Sequence, residues 1–244
     1  ADGALSRIGK SQGFDILESA YNYSPVVQFL MTNLDIDSSI VEMYFGREYC
    51  PGGYAWIIPK GDGIANVGIG IRRPFADKGV TISDYLNRFI NKHPSTKKKL
   101  KNAKILSRVG GNVPVNGAIP RSYSENIMLV GDAAGQVMAS NGGGIPLATI
   151  GGEIAGEVAA KKVKNGVNLS LYEKTWKKEM GAELKESGII RELADKAMMR
   201  DDMTEKLMEI LGEKRIDLMI RGKLPFSINY GVKLYDKIKE ALEK

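Results

Sequence analysis

Gly131 to Gly156 reads GDAAGQVMASNGGGIPLATIGGEIAG, a turn, a glycine run and the opening of a long helical pattern in one stretch. The run NIMLV just before it, Asn126 to Val130, is expected as a compact buried strand leading into Gly131. A glycine there lets a ligand approach the backbone closely, and Asp132 beyond it offers a carboxylate to sugar-like hydroxyls. Further on, Gly142, Gly143 and Gly144 are expected to expose amide N–H groups at the start of a helix over 144–164. The macrodipole adds about half a positive charge at such a start, so negative charge is favoured. Within the helix, Ala148, Gly152, Ala155 and Ala159 form a small-residue face expected to pack closely on a sheet or a ligand. For an isolated glycine run, the competing reading is close helix–sheet packing and nothing more.

Working outward, Val26 to Met31, Ile40 to Phe45, Gly53 to Ile58 and Ile64 to Ile71 are short runs rich in Val, Ile, Tyr and Phe, separated by turn residues. They predict an antiparallel sheet. Gly61-Asp62-Gly63 marks a hairpin, because Asp-Gly tolerates positive φ. Thr81 to Asn91 predicts an amphipathic helix opened by a capping box of Thr81 and Asp84. Ile105 to Val115 returns to extended structure, and Ser170 with Glu173 predicts a second capping box at the head of a polar helical tail. Met198, Met199, Met203, Met208 and Met219 fall in that tail, where ordinary helix packing is the reading of choice.

The fold class that results is α+β, in four segments. Residues 1–12 end a cofactor-binding segment, 13–110 form an antiparallel β domain, 111–166 return to the cofactor-binding fold, and 167–244 form a helical tail.

Composition narrows the function classes without choosing among them. With 43% hydrophobic and 26% charged residues the chain is neither disordered nor fibrous. A net charge of +6 mildly favours anionic partners. The one dense basic cluster, Lys97-Lys98-Lys99-Leu100-Lys101, lacks interleaved aromatics and reads as a solvated helical face, so no nucleic-acid partner is expected. The single cysteine, Cys50, excludes an intrachain disulfide and a cysteine-cluster metal site and fits a reducing cytoplasm. One histidine, His93, leaves no Ser-His or multi-His scheme, and no metal is expected. No apolar stretch approaches the roughly 20 residues of a membrane span, so any membrane contact is expected to be peripheral.

The spacing from Gly131-Asp132 to the glycine run resembles the second flavin-contacting motif, written GD, of the flavoprotein superfamily that includes aromatic hydroxylases and geranylgeranyl reductases. A reduced flavin suits the positive helix start, since its charge lies near the pyrimidine edge. The resemblance implies FAD as cofactor, contacted by Gly131, Asp132, Gly143, Gly144 and Ile145. Asp2-Gly3, within ADGALSR, resembles the superfamily's DG motif and implies further cofactor contacts. A phosphate-cradling loop at Gly3 to Ser11 is excluded by its spacing, which has one intervening residue too many.

Cys50 to Lys60, CPGGYAWIIPK, resembles the geranylgeranyl reductase signature PGGY-x-W-x-F-P, with Ile58 where Phe is usual. It implies an isoprenoid wall of Tyr54, Trp56, Ile58 and Pro59, and strand alternation sends Tyr54, Trp56 and Ile58 to one face and Ala55 and Ile57 to the other. A hairpin using Tyr and Trp as core is the competing reading of that motif. Met138 to Asn141 also departs from the family, where a proline is common.

The resemblance as a whole implies a FAD-dependent reductase that hydrogenates isolated double bonds of geranylgeranyl groups on archaeal-type membrane lipids. Its electron donor would be ferredoxin, reduced nicotinamide or deazaflavin. No residue declares itself the proton donor; Cys50 and Tyr54 are near the implied wall, but a buried thiol and a packed tyrosine are the favoured readings. A flavin monooxygenase or quinone-reducing dehydrogenase of the same superfamily, and a non-catalytic lipid-binding module, stay open. The G-x-G-x-x-G loop that holds the ADP half of FAD does not occur. It is expected before residue 1, as in a carboxy-terminal fragment, and FAD affinity of the 244 residues alone is expected to be poor.

Overall fold

The computed structural model describes residues 1–16 and 19–223. The fold is α+β, and the chain divides into two units. Unit 1 takes Ala1–Asn22, Val113–Ala194 and the chain from Lys206; unit 2 takes Tyr23–Asn112 and Asp195–Glu205.

Unit 2 is built on a five-stranded sheet of β1 (Tyr23–Thr32), β2 (Glu42–Tyr44), β3 (Tyr54–Gly61), β4 (Ile64–Gly70) and β5 (Lys104–Pro114), in the order β2-β3-β4-β1-β5. The strands fall where the β-rich runs predict them. β3 and β4 join through Asp62 and Gly63, whose φ values of 51° and 67° suit a tight hairpin, with Gly61 opposite Ile64. Burial along β1 alternates strictly, so one sheet face is dry. Val27, Phe29 and Met31 meet Ala55, Ile57, Val67 and Ile69 there, and the amphipathic helix α2 (Ile82–Lys92) covers them with Tyr85, Leu86, Phe89 and Ile90. The predicted capping box forms: the Asp84 N–H donates to Thr81 Oγ1, and the Thr81 N–H donates to Asp84 Oδ2. After α2 the short helix α3 (Thr96–Lys99) presents Lys97 and Lys98 to solvent, as expected of the basic cluster. Residues 195–205 are tied into the unit by Arg72 donating to Asp195 at 3.2 Å and the Arg47 amide donating to Asp201 at 2.8 Å.

The Pro51-Gly52-Gly53 turn has a packing reason independent of any ligand. A Cβ on Gly53 would lie 2.2 Å from the Gly70 carbonyl oxygen, and one on Gly52 2.1 Å from the Phe75 ring. Gly53→Ala must therefore push apart two backbone segments, and it is expected to lower unfolding free energy by about 1–3 kcal/mol in urea titrations.

Unit 1 carries the helices α1 (Arg7–Ser11) and α4 (Ile145–Asn165), most of α5 (Ser170–Ala197), the end of α6 (Asp201–Leu211), and α7 (Glu213–Ile220). Leu147, Ile154 and Val158 of α4 pack with Leu169, Tyr172, Trp176, Met180 and Leu184. Three expectations change here. Asn126 to Val130 forms no strand; Leu129 is buried, but the only pairing is an isolated bridge between Tyr123 and Met128. The buried stripe of α4 is Leu147, Gly151, Ile154 and Val158, and Gly152 lies exposed, because large apolar side chains gain more from burial than a small-residue face does. Glu173 does not close a capping box with Ser170; its carboxylate accepts from the Ser122 amide at 2.7 Å and from Lys177 at 2.9 Å, while the Ser170 amide donates to Asn168.

Candidate active site

In unit 1 the candidate site is the turn at Gly131 to Ala134 and the head of α4. Gly131 sits at φ 63°, and a Cβ there would stand 3.1 Å from the Ala148 Cβ. Glycine is therefore required twice, by backbone angle and by the approach of α4. The turn closes on itself through Gly135 N–H to Asp132 O and Gln136 N–H to Gly131 O, both 3.0 Å. Gln136 locks it. Its fully buried side chain accepts from the Gly131 amide at 2.8 Å and donates to the Tyr172 hydroxyl at 2.9 Å, which in turn donates to the Leu129 carbonyl at 2.7 Å. Gly151 leaves the room, since a Cβ there would be 2.6 Å from Gln136 Oε1. Sequence reading passed over Gln136 and Tyr172; the only signal was a lone polar residue inside an apolar and glycine-rich stretch.

Asp132 is half-buried, and that burial raises its carboxyl above the ordinary value, partly offset by its own backbone N–H. Its Oδ1 lies 3.2 Å from the point where a Gly144 Cβ would stand. The carboxylate and the helix head thus share one small space. Of the glycine run, two amides are already engaged: Gly142 donates to Met138 O at 2.8 Å and Gly143 to Asn141 Oδ1 at 2.7 Å. Among the described residues nothing accepts from the Gly144 and Ile145 amides, at a helix start with no side-chain cap and no acid in its first turn. Met138 to Asn141 is pinned by Ser140 N–H to Ser187 Oγ at 3.0 Å and Asn141 Nδ2 to Ile220 O at 2.6 Å.

Asp2 has a local task. It accepts from Ser6 Oγ at 2.5 Å and the Ile8 amide at 2.9 Å, holding the start of α1, and these bonds lower its carboxyl below the ordinary value. Gly3 sits beside it at φ 87° with open space around it.

In unit 2 the sheet face opposite α2 carries the aromatic strand. Ala55 and Ile57 are in the core, while Tyr54 and Trp56 are half-buried and Ile58 is 38% exposed, which is the alternation expected. Trp56 pairs with Gly68 across the sheet and lies flat over it: a Gly68 Cβ would be 2.4 Å from the indole. The Trp56 N–H donates to Gln28 at 3.4 Å, and the Tyr54 ring stands 5.6 Å from Trp56 and 6.2 Å from Phe45. Pro59, half-buried, follows Ile58 on the same strand at a β-bulge. Gln28, Phe45 and Gly68 were not singled out from sequence, although glycines at alternate positions 68 and 70 of β4 signal something large lying across it.

Burial holds both proton-donor candidates in their protonated form. Burial pushes the Cys50 thiol up to about 12, and it donates to the Tyr44 and Gly46 carbonyls. Burial also raises the Tyr54 hydroxyl. His93 packs edge-on against Tyr44 at 5.0 Å and Tyr49 at 4.9 Å, with its pKa lowered by burial. Among the described residues no acid, histidine or cysteine cluster could hold a metal.

The Cys50 thiol, and the Tyr172 hydroxyl that burial also raises to about 12, stay neutral when folded at pH values where the unfolded chain ionises them. Stability is thus complete below about pH 9 and falls as pH rises toward 12. Urea midpoints measured across that range are expected to decline, and the decline should be shallower in Cys50→Ala.

Solved flavin-dependent enzymes have this fold; a triple mutant of the flavin-dependent brominase Bmp2 superposes with a TM-score of 0.65 over 100% of the chain and 62% of its own, at 14% identity. A geranylgeranyl bacteriochlorophyll reductase-like protein from Thermoplasma acidophilum superposes with a TM-score of 0.76 at 27% identity, covering 100% of the chain and 60% of its own. Residues 22–113 match the family model of the geranylgeranyl reductase catalytic domain. Digeranylgeranylglycerophospholipid reductase 2 of Methanothermobacter thermautotrophicus is 36% identical over 226 residues, 91% of the chain and 53% of the relative. The chain thus spans about half the length of the curated relatives it matches.

Proposed function

We propose that the chain carries the lipid-binding and flavin-contacting parts of a FAD-dependent reductase that hydrogenates double bonds of geranylgeranyl groups on glycerophospholipids. The observation that carries this is the half-buried Asp132 carboxylate set against an uncapped helix start, on a turn whose glycines let the backbone and α4 close up beside it. The names of the relatives supply the substrate class.

In this reading Asp132 accepts from hydroxyls of the ribityl chain, and the Gly144 and Ile145 amides donate to the pyrimidine edge. Gly131 keeps side chains out of the way, and Asp2-Gly3 add a contact from the amino-terminal segment. The flavin, when bound, supplies the hydride. Tyr54, Trp56 and Ile58 hold the isoprenoid chain against an apolar wall, excluding water by burial of their own surface, whereas Pro59, opposite the core residue Ala65, falls on the other face. Ile58 widens the wall where a phenylalanine would fill it. The electron donor is of the ferredoxin, nicotinamide or deazaflavin class.

The test is to give the whole gene product, purified with its flavin, a reductant and digeranylgeranylglycerophospholipid. Hydrogen added to the chains, read by mass spectrometry, is the expected result. Oxygen incorporation, or a gene product without flavin absorbance, would overturn it.

A further inference from the structure

The strand registers bring one end of the unit 2 sheet together: β2 begins there at Glu42, β3 and β4 meet in their hairpin, β1 runs out at Thr32, and β5 sets out from Lys104. Two features meet at this end. Ile40 and Val41, on the turn that leads into β2 at one edge of the sheet, are 51% and 58% exposed, and Ile105 and Leu106 at the start of β5, on the opposite edge, are exposed as well. Beside them stand Lys97, Lys98, Lys101 and Lys104, all exposed. The two features are held in place by Lys99, which bonds Glu42 through its ammonium at 2.6 Å and accepts the Asp35 amide through its carbonyl at 3.1 Å.

The acids at this end do not cancel the lysines. Glu42 is neutralised by Lys99, and Asp37 is turned back onto the amide and hydroxyl of Ser39. Asp35, Asp62 and the still-charged Asp37 are left against Lys60, Lys97, Lys98, Lys101 and Lys104, a surplus of positive charge. Exposed aliphatic side chains rimmed by lysines, on a chain whose described helices are too short or too polar to cross a bilayer, suit the surface of an anionic membrane. The open sheet face leads the same way, since Trp56, Ile58 and Lys60 step along β3 toward this end.

We propose that this end of the sheet docks on anionic phospholipid bilayers, with Ile40 and Val41 entering the headgroup layer, the lysines meeting its charge, and the isoprenoid chain passing from there onto the Trp56 face. The inference rests on the reductase reading above, because a lipid substrate is what brings the chain to a bilayer.

Cosedimentation with vesicles of equal parts phosphatidylglycerol and phosphatidylcholine tests it. The chain is expected to bind them, to bind pure phosphatidylcholine far less, and to release as salt rises. Lys98→Gln with Lys101→Gln should weaken binding about 25-fold, at about fivefold per lysine. Ile40→Ser with Val41→Ser should weaken it about tenfold or more. All four positions are exposed, and thermal melts matching the parent will show that both variants fold. Equal binding of neutral vesicles, or unchanged binding in both variants, overturns the docking surface while leaving hydrogenation of detergent-dispersed lipid intact. Vesicle binding that depends on these residues, in a protein that adds no hydrogen to that lipid, supports the docking surface and sinks only the reductase reading.

Discussion

Gln136→Ala is expected to cost about 3 kcal/mol of folding stability, from a buried amide left without a partner and a cavity in a close-packed wall. The Gly131 N–H loses its acceptor in a fully buried place. The Tyr172 hydroxyl still reaches Leu129 but no longer receives a donor. Flavin content should fall with stability, because the groups that free the turn also move Asp132. Tyr172→Phe should cost about 1–3 kcal/mol by stranding the Gln136 side chain and the Leu129 carbonyl. In a double-mutant cycle the two losses should fall short of adding, by about 1 kcal/mol or more, because both break one network. A Gln136→Ala urea midpoint within error of the parent would show that the turn is held by its backbone bonds alone.

Trp56→Ala is the second large effect, and it should separate lipid from cofactor. The indole is the widest apolar surface on the open sheet face and touches no part of the α2-covered core. Its loss is expected to lower kcat/KM for geranylgeranyl lipid about 30-fold, corresponding to about 2 kcal/mol of buried apolar contact, with flavin content unchanged. Trp56→Phe should recover most of this, because a flat ring still fits over Gly68. Equal turnover in parent and Trp56→Ala would remove this face from substrate binding.

The sheet and the amphipathic helix were legible because strict alternation and the spacing of Tyr85, Leu86, Phe89 and Ile90 are local signals. The turn chemistry of Asp62-Gly63 and the Thr81 capping box were legible for the same reason. Asn126 to Val130 misled because an apolar run of that length reads alike whether it pairs in a sheet or merely lies under helices. Ser170 and Glu173 misled because Ser122, roughly fifty residues away in sequence, offered Glu173 two donors where a capping box offers one. The candidate site divides the same way. Glycines and Asp132 declare themselves by type and spacing, whereas the engagement of the Gly142 and Gly143 amides depends on Met138 and Asn141, whose loop conformation no pattern encodes.

The turn at Asp132 belongs to no strand ladder, and what holds it comes from far along the chain: Tyr172 is 43 residues from Leu129 and 36 from Gln136, and Trp176 bonds Ser122 across 54. Such contacts carry a large loop-closure cost, so they form after local helices do. The cofactor turn is therefore a late product of folding, completed when α5 docks. In hydrogen exchange the Gly131 amide should open together with the first turns of α5 rather than with its neighbours in sequence.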